Sequence, residues 1–508
     1  MKTLKYIKIS ALMVAVLLAT SCNDDFLDVN DDPNFPADAT SDFLLPAAQA
    51  QYTFAFAGVI SRITSTLTKQ IVNTRYHRWD IGRTDIGNSW RFDLFGGALK
   101  DLETIIEKET AAENWEYVAV SKLQKAYIFS VMTDLWGDLP FTEFGQETFP
   151  VYQDDAEVYS LVLDLIDEAI ADFDREGQNV ITPDDVDLIY GGDVDMWKKM
   201  GNSLKLKLYN QSRKVNEAES RTQINQLIAQ GNLISDLDEN FEFVYNDSQS
   251  PENRHPNYVA DYARASRENH MSIDFNTFLS NLNDPRLPYY LENQNDTDSF
   301  EGLVNGSITN IGNDDLSRSV WGIFPVGGRF TEEVEDGEEV PGPVNGASGT
   351  GDVPFRMITS YMVQFIIAEA ELILNNNLPA AETAFRLAME EAFAEVNALP
   401  GAPEIVDTVV TSYIDAHVVA FDTAATNEER LDVIITQKYI SQFGNGMESF
   451  TDFRRTGYPS AQQIDEIVNP LGEGVFPRRL PYDVDEFQGS NPPDEEILLQ
   501  TPVFWDVN

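Results

Sequence analysis

The 508-residue chain is 43% hydrophobic and 11% aromatic, which is globular rather than disordered composition and enough to bury a large core. Its 84 Asp and Glu outweigh 35 Lys and Arg, for a formal charge of −49. That field repels phosphate backbones and anionic membrane surfaces, so no nucleic-acid partner is expected.

Lys2, Lys5 and Lys8 precede an apolar run, ISALMVAVLLA, from Ile9 to Ala19. The run is short of the ~20 residues that cross a bilayer. Small residues then lead to Cys22, the only cysteine of the chain. Residues 1–21 therefore read as a secretion signal. A cysteine directly after the small residues resembles a bacterial lipoprotein signal, in which that cysteine is lipidated and becomes the new N-terminus. An ordinary signal peptide followed by an incidental cysteine is the alternative. Lipid on Cys22 leaves no thiol for a disulfide. Each buried acyl methylene adds ~0.8 kcal/mol of membrane binding. Asp24 and Asp25 resemble the surface-export signal of some Gram-negative lipoproteins. Residues 22–42 read as a lipidated tether and 43–508 as one helical domain.

The stretch YHRWDIGRTDIGNSWRFDLF, at 76–95, gathers Tyr76, Trp79, Trp90, Phe92 and Phe95. Its first half is not helical in pattern. A Trp on such a loop is either half-packed or a flat platform for a sugar ring or peptide side chain, with neighbouring Asn and Arg fixing orientation. Tyr76, Trp79 and Trp90 are candidate ligand residues, although WRFDLF leads into the helix of GALKDLETIIE, which favours packing for Trp90. Trp115, Trp136 and Trp197 lie on or beside expected helices and read as core.

In 156–173, Val158, Leu161, Val162, Leu165, Ile166, Ala169, Ile170 and Phe173 follow helical spacing. FEFVY at 241–245 is the best strand signal. Residues 245–355 hold many Asn, Asp, Gly, Pro and Tyr with little periodicity, and read as a loop-rich insertion carrying few short strands. Long loops of this kind are usually functional or mobile. Within it, Trp321 is a further ligand candidate, and Tyr258 and Tyr262 are weaker ones. NDTDSFEG at 295–302 faintly suggests a structural calcium loop, with Phe300 and Glu301 out of ligand order.

Helical spacing returns at 356–375 through Ile358, Met362, Phe365, Ala368 and Leu372. NNNLP ends that helix, and AAETAFRLAMEEAFAEV starts another, making an αα-hairpin. In TNEERLDVIITQKYISQF, Thr426 and Glu429 form a capping box, and Leu431, Ile434, Ile435 and Tyr439 form the buried stripe. The fold class is mainly α, with helix pairs as the unit.

Enzyme signals are poor. The four histidines, His77, His255, His270 and His417, include no i, i+4 pair for zinc. There is no nucleophile elbow, phosphate loop or dinucleotide fingerprint. No catalytic residue, metal site or cofactor is assigned. A carboxylate-dependent surface glycoside hydrolase or peptidase is one alternative to a binding protein, and a helical-repeat scaffold for protein partners is another.

Seven segments in order resemble the SusD/RagB family of outer-membrane nutrient-binding lipoproteins, in its SusD-like branch. They are CNDDFLDVNDDPN at 22–34, DLWGDLPFTE at 134–143, DLIYGGDVDMWKKMGNSLKLKLYNQSRKV at 187–215, NDPRLPYY at 283–290, FIIAEAELILNN at 365–376, QKYISQFGNGMESFTDFRRTGYP at 437–459 and FPRRLPYDVDE at 476–486. Glu369, Arg454, Arg455, Arg478 and Arg479 within them read as structural carboxylate–arginine pairs at helix ends. The resemblance implies a tetratricopeptide-like scaffold of helix pairs, with the ligand surface on a variable loop-rich part. It implies a lipid-anchored, cell-surface position on the outer membrane. It also implies a partnership with a TonB-dependent transporter of the SusC/RagA type, to which a captured glycan or peptide passes without catalysis. Family ligand residues do not carry over, so the site candidates rest on the aromatics.

Overall fold

The computed structural model describes residues 39–74, 79, 81–145, 150–177, 181, 186–262, 268–292, 300–306, 318–322, 351–399, 404–465, 476–493 and 497–508, and the backbone of 333–335 and 338–340. Helices dominate. The first half runs α1 (Ser41–Ala55), α2 (Ser61–Leu67), α3 (Lys100–Ala112), α4 (Trp115–Trp136), α5 (Asp155–Asp172), α6 (Val194–Gln211) and α7 (Glu217–Gln230). The second half closes the scaffold with α11 (Ser360–Ile373), α12 (Leu378–Asn397), α13 (Asp407–Thr423), α14 (Asn427–Ser441) and α15 (Gly446–Thr456). Successive helices pack as antiparallel neighbours, α4 on α5, α6 on α7, α11 on α12 and α13 on α14, the helix-pair architecture expected.

The elements start where their caps dictate. Asp154 accepts the Ala156 N–H at 3.1 Å and opens α5, whose Val158, Val162, Ile166 and Ala169 are buried as their spacing requires. Thr426 and Glu429 form the reciprocal capping box at α14. α1 begins at Ser41, two residues inside the expected tether. One expected stripe is cut short. Ile358 belongs to strand Pro354–Ile358 and not to the following helix, because Thr359 caps Met362 N–H and starts that helix at Ser360.

The segment between the halves holds more structure than its composition suggests. It contains α8 (Pro256–Asp261), α9 (Ile273–Leu282) and α10 (Leu287–Tyr290). In α9, Phe275, Phe278 and Leu279 sit at helical spacing and are buried, a signal short enough to be hidden among the polar residues. The strands pair in twos and antiparallel: β1 (Ile71–Asn73) with β3 (Asn269–Met271), β2 (Phe241–Val244) with β8 (Pro354–Ile358), β4 (Leu291–Glu292) with β5 (Val320–Trp321), and β6 (Glu333–Glu335) with β7 (Glu338–Val340). The β2–β8 ladder, which includes the expected strand FEFVY, joins the segment's entry and exit. Arg356 on β8 lies between Glu242 of β2 and Glu395 of α12.

The shared Arg and Glu residues hold the interior together. Arg455 donates to both oxygens of Glu369, and Arg213 meets the same carboxylate at 2.6 Å. Lys207 pairs with Glu448 at 2.7 Å, and Lys438 with Asp452 at 2.8 Å. Arg454 and Arg479 behave differently from the expected carboxylate pairs. Arg454 donates to the Asp134 carbonyl at 2.7 Å and Arg479 to the Trp136 carbonyl at 2.9 Å. Both satisfy orphan carbonyls at the C-terminus of α4, where cations are also favoured by the helix dipole. Arg478 does pair with a carboxylate, Asp506, at 3.2 Å.

Candidate functional site

A cleft of about 470 Å³ with an exposed aromatic wall opens between the first helix, the segment after it and α8. Two π-helical turns shape it: Phe56–Ile60 contributes Gly58 and Val59, and Ser89–Leu99 contributes Ser89 and Asp93. π-turns are rare and gather at functional sites. The second is permitted by two glycines. A Cβ on Gly96 would fall 2.5 Å from the Arg91 carbonyl oxygen, and one on Gly97 2.5 Å from that of Phe92, five residues back in each case. At Gly58 the backbone leaves helical geometry (φ −84°, ψ −117°), and Pro256 of α8 packs over the kink.

The wall is apolar and its rim polar. Phe54, 52% exposed, sits one turn before the kink and offers its ring to the cleft. Arg62, Asp85, Asn88, Asp93 and Glu252 supply the polar groups. Arg62 is held by Asn257 Oδ1 at 3.0 Å. Asp85 accepts the Gly82 N–H at 2.7 Å, which closes the turn that carries it. Glu252 accepts two hydrogen bonds from Arg254, both at 2.7 Å. Burial pushes the Asp93 carboxyl up, and a hydrogen bond with Ser89 partly offsets this. An aromatic face beside fixed donors and acceptors binds flat, hydroxylated molecules by stacking and hydrogen bonds.

The tryptophans are not that wall. Trp79 is 4% exposed, edge-on to Phe476 at 5.2 Å, with a left-handed backbone (φ 63°) and an indole N–H that meets no partner among the described residues. Trp90 is buried against Trp136, Phe95 and Tyr482, and donates to Glu486 at 2.8 Å. Trp321 is fully buried on β5, donates to Asp261 at 3.1 Å and packs on Phe443. Tyr258 and Tyr262 are buried and stack on each other at 5.4 Å. These indoles are buried among core neighbours and do not line the cleft. Trp115, Trp136 and Trp197 are core, as expected. Tyr76, Cys22 and residues 295–299 of the calcium-like stretch lie outside the described residues.

Part of the cleft lining was within reach of the sequence. Asp85, Asn88 and Asp93 stand in the aromatic stretch already singled out. Phe54 and Glu252 carry no local signal, since one is an outward position on an apolar helix and the other a loop acid. A separate carboxylate group, Asp138, Asp154 and Asp155, has oxygens within 4.8 Å of one another. Backbone amides account for it: Asp138 accepts Asp155 N–H at 3.0 Å, and Asp155 accepts Phe504 N–H at 2.9 Å.

A solved SusD homolog from Bacteroides uniformis superposes on the chain with a TM-score of 0.71 at 21% identity, covering 93% of this chain and 100% of the other. A SusD/RagB family protein from Bacteroides thetaiotaomicron gives 0.73 at 21% identity, over 92% and 99%. A chitin-binding SusD homolog from Flavobacterium johnsoniae gives 0.70 at 19% identity, over 92% and 99%. At these identities the likeness shows a shared fold. No curated protein matches the chain. Residues 33–483 match the model of the SusD-like family described as starch-binding and associating with the outer membrane. With most of its length matched and the helix-pair fold in common, the chain belongs to the SusD-like family.

Proposed function

We propose that the chain is a cell-surface glycan-binding lipoprotein, anchored through Cys22, that captures an oligosaccharide and hands it to a TonB-dependent outer-membrane transporter of the SusC/RagA type without chemical turnover. The observation that carries this reading is the cleft beside α1, where the exposed ring of Phe54 faces Asn88, Asp85, Arg62 and Glu252. Family membership supports a glycan over a peptide, since the family is described as starch-binding and one similar structure is chitin-binding. The acidic tether after Cys22 supports the surface position.

The test is calorimetric titration of the purified chain with starch, chitin and other polysaccharides, their oligosaccharides, and peptide pools, repeated with Phe54→Ala and Asn88→Ala. Saturable binding of one glycan class, weakened about tenfold by Phe54→Ala, supports the cleft, in line with the ~1–3 kcal/mol of a stacked ring. Peptide binding alone would replace the glycan. Oligosaccharide cleavage during the titration would replace the binding protein with an enzyme. Purification of the native protein from membranes without a large barrel partner would count against delivery to a transporter.

A further inference from the structure

Away from the cleft, a second concavity of about 310 Å³ lies between α5, the end of α6, the start of α7 and the C-terminal segment. It shares no lining residue with the cleft. Its volume is at the small end of ligand pockets, roughly 300–1,000 Å³, room for one sugar ring.

One face of α5 provides the floor, with Ala156, Tyr159, Ser160 and Leu163 at helical spacing. The Tyr159 ring is fixed from below by its hydroxyl, which donates to Asp134 at 3.0 Å. Phe504 stands edge-on to that ring at 5.0 Å. With Val215, which is 40% exposed, Phe504 makes an apolar surface that solvent reaches.

Polar groups ring this surface. The Tyr209 hydroxyl, the Asn216 amide, the Ser160 hydroxyl and the Glu219 carboxylate all line the pocket, and none has a hydrogen-bond partner among the described residues. Tyr209 is the informative one, because the residue is only 8% exposed while its solvent-accessible hydroxyl has no protein partner among the described residues. Burial first, and then the carboxylates of Asp167, Glu219 and Asp164, push this hydroxyl up to about 12, so it stays protonated at physiological pH. Those carboxylates also disfavour an anionic ligand. An apolar floor, hydroxyl and amide groups with one carboxylate, Glu219, at the rim and a negative surround fit an uncharged pyranose with one face on Phe504 and Val215.

We propose that this pocket is a second carbohydrate site that takes one neutral sugar ring. Its ring would stack on Phe504 while its hydroxyls meet Tyr209, Asn216 and Glu219. Two sites on one chain would raise the avidity for a polymer that spans both, without any new contact.

The experiment is saturation-transfer NMR titration of the purified full chain with maltotriose, cellotriose and tri-N-acetylchitotriose, with trigalacturonate as the anionic control. Ser160→Trp fills the pocket from an exposed helix position, and Tyr209→Phe removes one hydroxyl. Asn88→Trp blocks the cleft. The expected result is saturable binding of at least one neutral trisaccharide that persists in Asn88→Trp, is lost in Ser160→Trp and weakens about fivefold in Tyr209→Phe, as one lost hydrogen bond implies. Trigalacturonate gives no such component. If no trisaccharide shows a component sensitive to Ser160→Trp and Tyr209→Phe in folded protein, the assignment is overturned. Loss of only the component sensitive to Asn88→Trp would instead report on the cleft.

Discussion

Glu369 of α11 and Arg455 of α15, 86 residues apart, meet through two hydrogen bonds in the centre of the scaffold, and neither side chain reaches solvent. Arg213 brings a second guanidinium to the same carboxylate at 2.6 Å. Two cations outweigh the cost of burial and hold the Glu369 carboxyl well below the usual carboxylate range. Glu369→Gln leaves two buried guanidiniums facing a neutral amide. It should cost about 3–5 kcal/mol, the range for breaking a buried pair by removing one partner. Because the folded carboxyl titrates lower than the unfolded one, the contribution is present above the unfolded value of 4.5. It is lost progressively as pH falls from that value toward the much lower folded one. Urea unfolding of both proteins from pH 7 to pH 3 should show the gap holding to about pH 4.5 and closing below it. A gap under ~1 kcal/mol at pH 7 would mean that the pair is structurally silent.

Gly137 ends α4 at φ 90° and ψ −121°, a region that essentially only glycine occupies. A Cβ there would also fall 2.8 Å from Arg479 Nη1, which is engaged with the Trp136 carbonyl. Gly137→Ala is therefore expected to lower stability by at least ~2 kcal/mol, combining strain with displacement of the guanidinium. Thermal unfolding measures it. An unchanged midpoint would show that the helix end can relax.

Trp321 separates structural from binding roles. Trp321→Phe keeps the ring packing on Phe443 but removes the donor to Asp261, a buried carboxylate. The expected loss is about 1–3 kcal/mol of stability. Glycan affinity of the folded protein should change much less than in Phe54→Ala. The reverse pattern, full stability with lost affinity, would place Trp321 at the ligand after all.

His255 caps α8 by accepting the Asn257 N–H at 3.2 Å, which requires an unprotonated ring nitrogen. Burial lowers its pKa to about 3, assisted by Arg356 and Arg62. The unfolded chain therefore takes up a proton near 6.5 that the folded chain refuses, and stability falls as pH drops below that value. His255→Asn keeps an acceptor at the cap without the titration. The difference between the two proteins should be constant above pH 7 and shift against the wild type by about 2 kcal/mol at pH 5. Chemical denaturation across that range is the check. Parallel curves would show that the histidine is not shielded.

Much of the scaffold was legible because its signals are local. The α5 stripe, the Thr426–Glu429 box and the NNNLP break each lie within one or two turns, and α5, α14, and the α11–α12 turn stand where those residues put them. α9 was not legible, because its short apolar pattern, of which only Phe275, Phe278 and Leu279 are buried, sits in a polar stretch that looks like a loop until the core is present. The site was half legible. The stretch 76–95 contributes Asp85, Asn88, Ser89 and Asp93 to the candidate cleft. The tryptophans do not line that cleft. A large indole gains more from burial on both faces than from a solvent-facing position, so each turned inward once partners such as Phe476, Trp136 and Phe443 were within reach.

The sequence by itself determined the family, the helix-pair architecture and the net negative surface, because ordered motifs, periodicity and composition need no distant contacts to be read. The tertiary structure decided which aromatic stays outside and which carboxylates meet a cation. Phe54 became the exposed wall only because a π-turn at Gly58 and another at Gly96–Gly97 bend two segments around it. Glu369 became a buried anion only because the turn after α6 delivers Arg213 and α15 delivers Arg455 from distant parts of the chain. Both depend on which residues share a volume after folding, and no local pattern encodes that.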